Sequence, residues 1–85
     1  MKQIAKIIEI LNDNITFQLN NQNLSSLLKK NDRLEVIRDL GGNLITIGTL
    51  KITNVSPFST FGRANIEKLS SGMSLRTGDI LIITE

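Results

Sequence analysis

With no His and no Cys in 85 residues, the four aspartates are the first candidates for chemistry. Asp13, Asp32, Asp39 and Asp79 would act as general acids, general bases or cation ligands if two or three of them met at one place. Each sits in a turn setting: Asn12-Asp13-Asn14, Asn31-Asp32, Asp39-Leu40-Gly41-Gly42 and Gly78-Asp79. There a carboxylate bonds the amides of its own turn, so the four are read as turn residues. Calcium binding through Asp39 or Asp79 would need clustered acidic spacing, which the chain lacks. Ser25-Ser26 and Ser70-Ser71-Gly72 stand outside any Gly-x-Ser-x-Gly elbow, and no glycine pattern for cradling nucleotide phosphates occurs. The expectation is a protein that is not an enzyme, with no catalytic residue, no cofactor and no metal.

Two constellations remain that would bind something. Lys29, Lys30, Arg33 and Arg76 would form one basic patch for a nucleic acid if the segments carrying them lie close together. The charge supporting that reading is mild, with ten Lys and Arg against eight Asp and Glu for a net +2 and an isoelectric point near 9.3. Single-strand binders also stack bases on aromatic rings, and the chain has no Trp, no Tyr and only Phe17, Phe58 and Phe61. Alternation puts Phe17 inward. The other two flank Ser59-Thr60 just after the only proline, so Pro57, Phe58 and Phe61 make a candidate hydrophobic anchor for a protein partner. For bases, Phe58 and Phe61 are poor candidates, and the structural expectation is that they plug one end of the core. An exposed edge strand would be a second route to a partner.

The elements that must position these residues are strands. Thirteen Ile and twelve Leu against two Ala favour pleated, half-buried surfaces over helices. Ile4 to Leu11, the turn Asn12-Asp13-Asn14 and the alternating Ile15 to Leu19 read as a hairpin. Leu24, Leu27 and Leu28 share a face of one helical turn, capped by Asn23 and ended by Asn31, with Lys29 and Lys30 meeting its last carbonyls. Arg33 to Arg38 is a third strand, closed by the turn from Asp39 to Asn43. In the next strand Ile45 and Ile47 are odd-numbered while Leu50 and Ile52 are even, so a β-bulge near Gly48 is needed to keep all four inward. Pro57 ends that strand. Gly62, Ala64 and Ile66 then alternate as a strand with small residues inward, and Ile80 to Ile83 suits a strand covered on both faces.

These features predict an all-β, SH3-like or OB-like barrel, closed or partly open, of five to six short strands with one helical turn. The 85 residues hold one domain, whole or excised from something larger. No apolar run is long enough to span a membrane, and Lys6 and Glu9 interrupt what would be the core of a secretory leader. One internal echo stands out. Leu28-Lys29-Lys30-Asn31-Asp32-Arg33-Leu34 returns 47 positions later as Leu75-Arg76-Thr77-Gly78-Asp79-Ile80-Leu81. Asn31 and Gly78 are the residue types that best accept a positive φ, so the echo reads as two related turns entering strands.

The order of these segments, from "Lys-Asn-Asp-Arg-Leu-Glu-Val-Ile" at 30–37 through "Ile-Gly-Thr-Leu-Lys-Ile-Thr-Asn-Val" at 47–55 to "Thr-Gly-Asp-Ile-Leu" at 77–81, resembles a known domain. It is similar to the small β-barrel at the C-terminus of flagellar assembly protein T and in other bacterial envelope proteins, over roughly residues 3–84. Where that family commonly has glycine-aspartate at the first entry, Asn31-Asp32 stands here, a swap the same backbone angle permits. The resemblance implies a non-enzymatic structural or interaction module that helps assemble or anchor an envelope or flagellar-type structure, placed in the periplasm or cell envelope. The alternative is a nucleic-acid-binding barrel using the basic patch.

Overall fold

The computed structural model describes residues 3–83. Met1 and Lys2, which open the stretch weighed against a secretory leader, lie outside these, as do Thr84 and Glu85. Six strands follow in order: β1 (Gln3–Leu11), β2 (Asn14–Leu19), β3 (Arg33–Leu40), β4 (Asn43–Val55), β5 (Phe61–Leu69) and β6 (Ile80–Ile83). They close into an antiparallel barrel in the order β1-β2-β5-β4-β3-β6, with β6 returning to β1. Each of the six has a neighbour on both sides, so the edge-strand route to a partner is shut: closure removes the unpaired amides it needs. Among the described residues no helix is long and apolar enough to cross a membrane.

The barrel interior is filled by one layer of Ile, Leu, Val and Phe, with Phe17, Ile15, Leu34, Ile47, Leu50 and Ile52 all at 0% exposure. The parity break in β4 is resolved where the sequence requires it. Pairing with β3 steps from Ile37↔Thr46 to Val36↔Gly48, which leaves Ile47 as an extra residue and turns the rest of the strand over. In β6, Leu81 joins the interior cluster. Ile82 is buried outside it, beside Ile37 in a small apolar pit, while Ile83 is exposed. Cover on both faces therefore holds only as far as Ile82.

The helical turn departs from expectation. It is a 3-10 helix, Gln22–Leu27, whose cap is Asn21 and not Asn23: the Asn21 Oδ1 accepts the Asn23 amide at 2.9 Å. It ends at Leu28, so Lys29 and Lys30 lie past its carbonyls, and Leu27 is exposed while Leu28 is buried. Leu28 is past the helix in extended backbone, φ −110° and ψ 143°, and from there it joins the interior cluster with Leu24 packed against it, while Leu27 stays outside.

The internal echo is a two-fold repeat of the whole barrel. Asn31 (φ 77°) and Gly78 (φ 92°) both adopt positive φ. The Asp32 Oδ2 accepts the Lys29 amide at 2.9 Å, and the Asp79 Oδ2 accepts the Arg76 amide at 2.9 Å. At the first turn Asn31 donates to the Ile52 carbonyl and Ile52 donates to the Asp32 carbonyl. At the second, Gly78 and Asp79 make the same pair of bonds with Ile7. Each triad of strands, β1-β2-β3 and β4-β5-β6, thereby lends its third strand to the first strand of the other. The registers repeat too: Ile7↔Phe17 and Glu9↔Thr16, skipping Ile8, correspond to Ile52↔Ala64 and Asn54↔Arg63, skipping Thr53. Thr16 faces Arg63 and Glu35 faces Ile82, so the pseudo-two-fold axis runs through these two pairs.

One turn carries more than the other. The Arg38 guanidinium makes a bidentate pair with Asp79, Nε to Oδ1 and Nη2 to Oδ2 both at 2.9 Å, and Nη2 also donates to the Ser74 carbonyl at 2.8 Å. Both side chains are largely buried. The hydrogen bond to Asp79 lifts the Arg38 pKa above its usual value against the opposing effect of burial, and the aspartate's charge adds to the lift.

Two stability predictions follow from this packing. A Cβ at Gly62 would lie 2.3 Å from the Phe17 Cζ, so Gly62→Ala is expected to cost about 1–3 kcal/mol in urea denaturation through overpacking, with Phe17→Leu in the same chain restoring part of the loss. Asp79→Ala strands a largely buried guanidinium and is expected to cost about 3–5 kcal/mol. Asp32→Ala, which loses only a turn hydrogen bond, should cost about 1 kcal/mol. Equal losses from the two aspartates would contradict this account of the asymmetry.

Candidate functional site

Three of the four aspartates are occupied structurally, and Asp13 stands exposed in the turn between β1 and β2. Asp32 and Asp79 close the repeated turns, and the Asp39 Oδ1 accepts the Gly42 amide at 2.8 Å. Among the described residues no three acidic side chains gather as a metal ion would require.

The four cations of the nucleic-acid reading are divided between two ends of the barrel. Lys29, Lys30 and Arg33 stand where β3 begins, beside Ile83 at the far end of β6. Arg76 belongs to the turn whose Asp79 is tied to Arg38, five residues beyond Arg33 along β3, about 17 Å away. The condition for a single patch, proximity of the two turns, is not met, because β3 and β6 run antiparallel across the axis. Arg33 is further engaged by Glu67 at 2.6 Å, whose hydrogen bond and charge raise its pKa.

The two loop phenylalanines face solvent. Phe58 is 88% exposed and Phe61 is 50% exposed; neither plugs the barrel end. Gly62, next along β5, is the reason: Phe17 already fills the interior above it, so no space is left for a second ring. Phe58 is nevertheless held in place. The Ser56 Oγ accepts the Phe58 amide at 3.2 Å, the Ser59 Oγ accepts the Phe61 amide at 3.0 Å, and the Leu19 amide donates to the Thr60 carbonyl at 2.7 Å. Gln22 reaches the Pro57 carbonyl at 3.5 Å. The loop is a fixed arm that presents an aromatic ring to water.

Beside this arm the outer face of β1, β2, β5 and β4 is grooved. Its floor is the row Glu9, Thr16, Arg63 and Asn54, one residue per strand in register. On the Phe61 side the row opens into a hollow of about 530 Å³ that adds Ile8, Ser56 and Ser59. On the other side it opens into one of about 350 Å³ that adds Leu11, Asn14 and Thr53. The pseudo-two-fold axis exchanges the halves: Ile8 answers Thr53, Phe61 answers Asn14 and Ser56 answers Leu11. The chemistry differs between them: Ile8 and Phe61 on one side face Thr53 and Asn14 on the other, with Leu11 the one apolar side chain of the second hollow. Glu9 and Arg63 are exposed and make no ion pair among the described residues.

Sequence reasoning reached Pro57, Phe58 and Phe61 and missed the floor of the groove. Two signals were present: Ile7-Ile8 in β1 and Ile52-Thr53-Asn54 in β4 both break strict alternation, and each break is a bulge that bends its strand away from the barrel. What this arrangement offers chemically is an exposed aromatic ring, one cation, one anion and several amide and hydroxyl groups on one face. No protein-family model, curated protein or solved structure matches the chain.

Proposed function

We propose that the barrel is a non-enzymatic interaction module that docks a protein through the Pro57-Phe58 arm and Phe61, as one part of a larger assembly. The observation that carries this reading is the phenyl ring of Phe58, 88% exposed on a loop fixed by hydrogen bonds. Burying such a ring in a partner's pocket is worth about 1.5–3 kcal/mol, and a loop already ordered loses little entropy on docking. Phe61 and Ile8 extend the apolar surface into the adjoining hollow. The resemblance to envelope barrels supplies the setting, a bacterial envelope or flagellar-type assembly.

The test is site-specific photo-cross-linking in the cell that makes the protein, with benzoylphenylalanine at position 58 and, as a control, at position 27, another exposed apolar residue. A discrete protein adduct from position 58 and none from 27 is the expected result, while Phe58→Ser leaves the unfolding free energy of the chain in urea unchanged within about 0.5 kcal/mol. Adducts from both positions alike, or none from 58, would count against the proposal. Micromolar binding of single-stranded DNA or RNA that collapses as salt rises would move the protein to the nucleic-acid class.

A further inference from the structure

We infer that the groove floor binds a second copy of this chain, so that the module docks as a symmetric dimer through the face that bears Phe61. The inference rests on the proposal that this face docks protein, and it names the first such partner.

The argument starts from the charged row. Glu9 and Arg63 lie on either side of Thr16, which pairs with both, so the strands that carry them are about 9.6 Å apart. They are opposite in sign, exposed and without an ion-pair partner among the described residues. A surface with one free charge of each sign at fixed separation is complementary to itself. A two-fold axis lying in the plane of the face and running along β2 through Thr16 sets Glu9 of each copy over Arg63 of the other. It also sets Thr16 against Thr16, where two hydroxyls can donate and accept. This is the isologous arrangement that closed homodimers use, in which one contact made twice supplies the interface. Nothing in the row repels under that operation.

The surroundings fit the same occupant. Ile8 is 41%, Leu11 59% and Phe61 50% exposed, and all three line the two hollows that flank the row. Apolar groups around a charge-paired centre are what a pairwise docking surface needs, because the ion pairs set register while buried carbon supplies the affinity. With every described strand flanked on both sides, a second copy has no sheet edge to extend and must meet the barrel face to face.

The experiment is sedimentation equilibrium of the whole chain across a concentration series at low and at moderate salt, on wild type, Glu9→Arg, Arg63→Glu and the double variant. Expected is a monomer–dimer equilibrium that weakens with salt. Each single reversal should raise the dissociation constant about tenfold or more, since each places like charges together at two symmetric points, and the double variant should recover most of the loss. That recovery cannot come from a folding defect, and circular dichroism checks that the singles are folded. A monomer at every concentration up to about 1 mM overturns the inference, and so does a dimer that neither reversal weakens. If the chain is monomeric while position 58 still cross-links another protein, the dimer is wrong and the docking face stands. If both fail, both fall.

Discussion

Each third strand of this barrel lies against the first strand of the opposite half, and a turn with one residue at positive φ holds it there. Asn31 and Gly78 supply that backbone angle, and the following aspartates close the turns on the amides of Lys29 and Arg76. The two amide–carbonyl exchanges with Ile52 and Ile7 then fix how β3 enters beside β4 and β6 beside β1. Everything else inherits this geometry. The interior layer has room for one large ring near the axis, Phe17, only because Gly62 leaves space for it. The outer face acquires its groove because the strands that must reach across, β1 and β4, bulge at equivalent points.

Much of this was written plainly in the sequence. The Asn-Asp and Gly-Asp turns were legible because few residues tolerate positive φ, so the residue type nearly dictates the angle. The bulge near Gly48 was legible because alternation is strict enough that an odd-to-even switch needs a physical cause. The capping of the 3-10 turn was not, since Asn20, Asn21 and Asn23 are interchangeable as caps until the chain's entry angle is known. The placement of Phe58 and Phe61 was also hidden. Whether an aromatic on a loop turns in or out depends on whether the interior is already full, and that is decided by Phe17, some forty residues away. The row Glu9, Thr16, Arg63 and Asn54 is assembled from four strands, so no local spacing announces it.

The two halves agree in backbone and diverge in side chains, and the divergence shapes the two sides of the outer groove. A two-residue turn, Asn12-Asp13, joins β1 to β2, whereas the equivalent connection carries Pro57 and Phe58. Isoleucine at position 8 is answered by threonine at 53, and phenylalanine at 61 by asparagine at 14. The backbone repeat holds the barrel together; its departures put two large apolar side chains, Ile8 and Phe61, on one side of the groove and a single one, Leu11, on the other. The Arg38–Asp79 pair is a departure of the other kind, spending a buried charge to pin the segment that follows β5.

The pairing of the first strand with the last bears on how the protein is made. During synthesis β1 can fold back on β2 at once, yet its other flank stays bare until Ile80–Ile83 has left the ribosome. About seventy residues separate the two, several seconds of translation at roughly 5–20 residues per second. For that interval an isoleucine-rich strand has open amides and no mate in its own chain, the condition under which nascent chains stick to one another. Lys6 and Glu9, spaced along β1, put charge on that waiting strand, as do the gatekeepers that protect exposed apolar segments elsewhere. The residues that break the apolar run at the start of the chain therefore guard the one edge the finished barrel does not have.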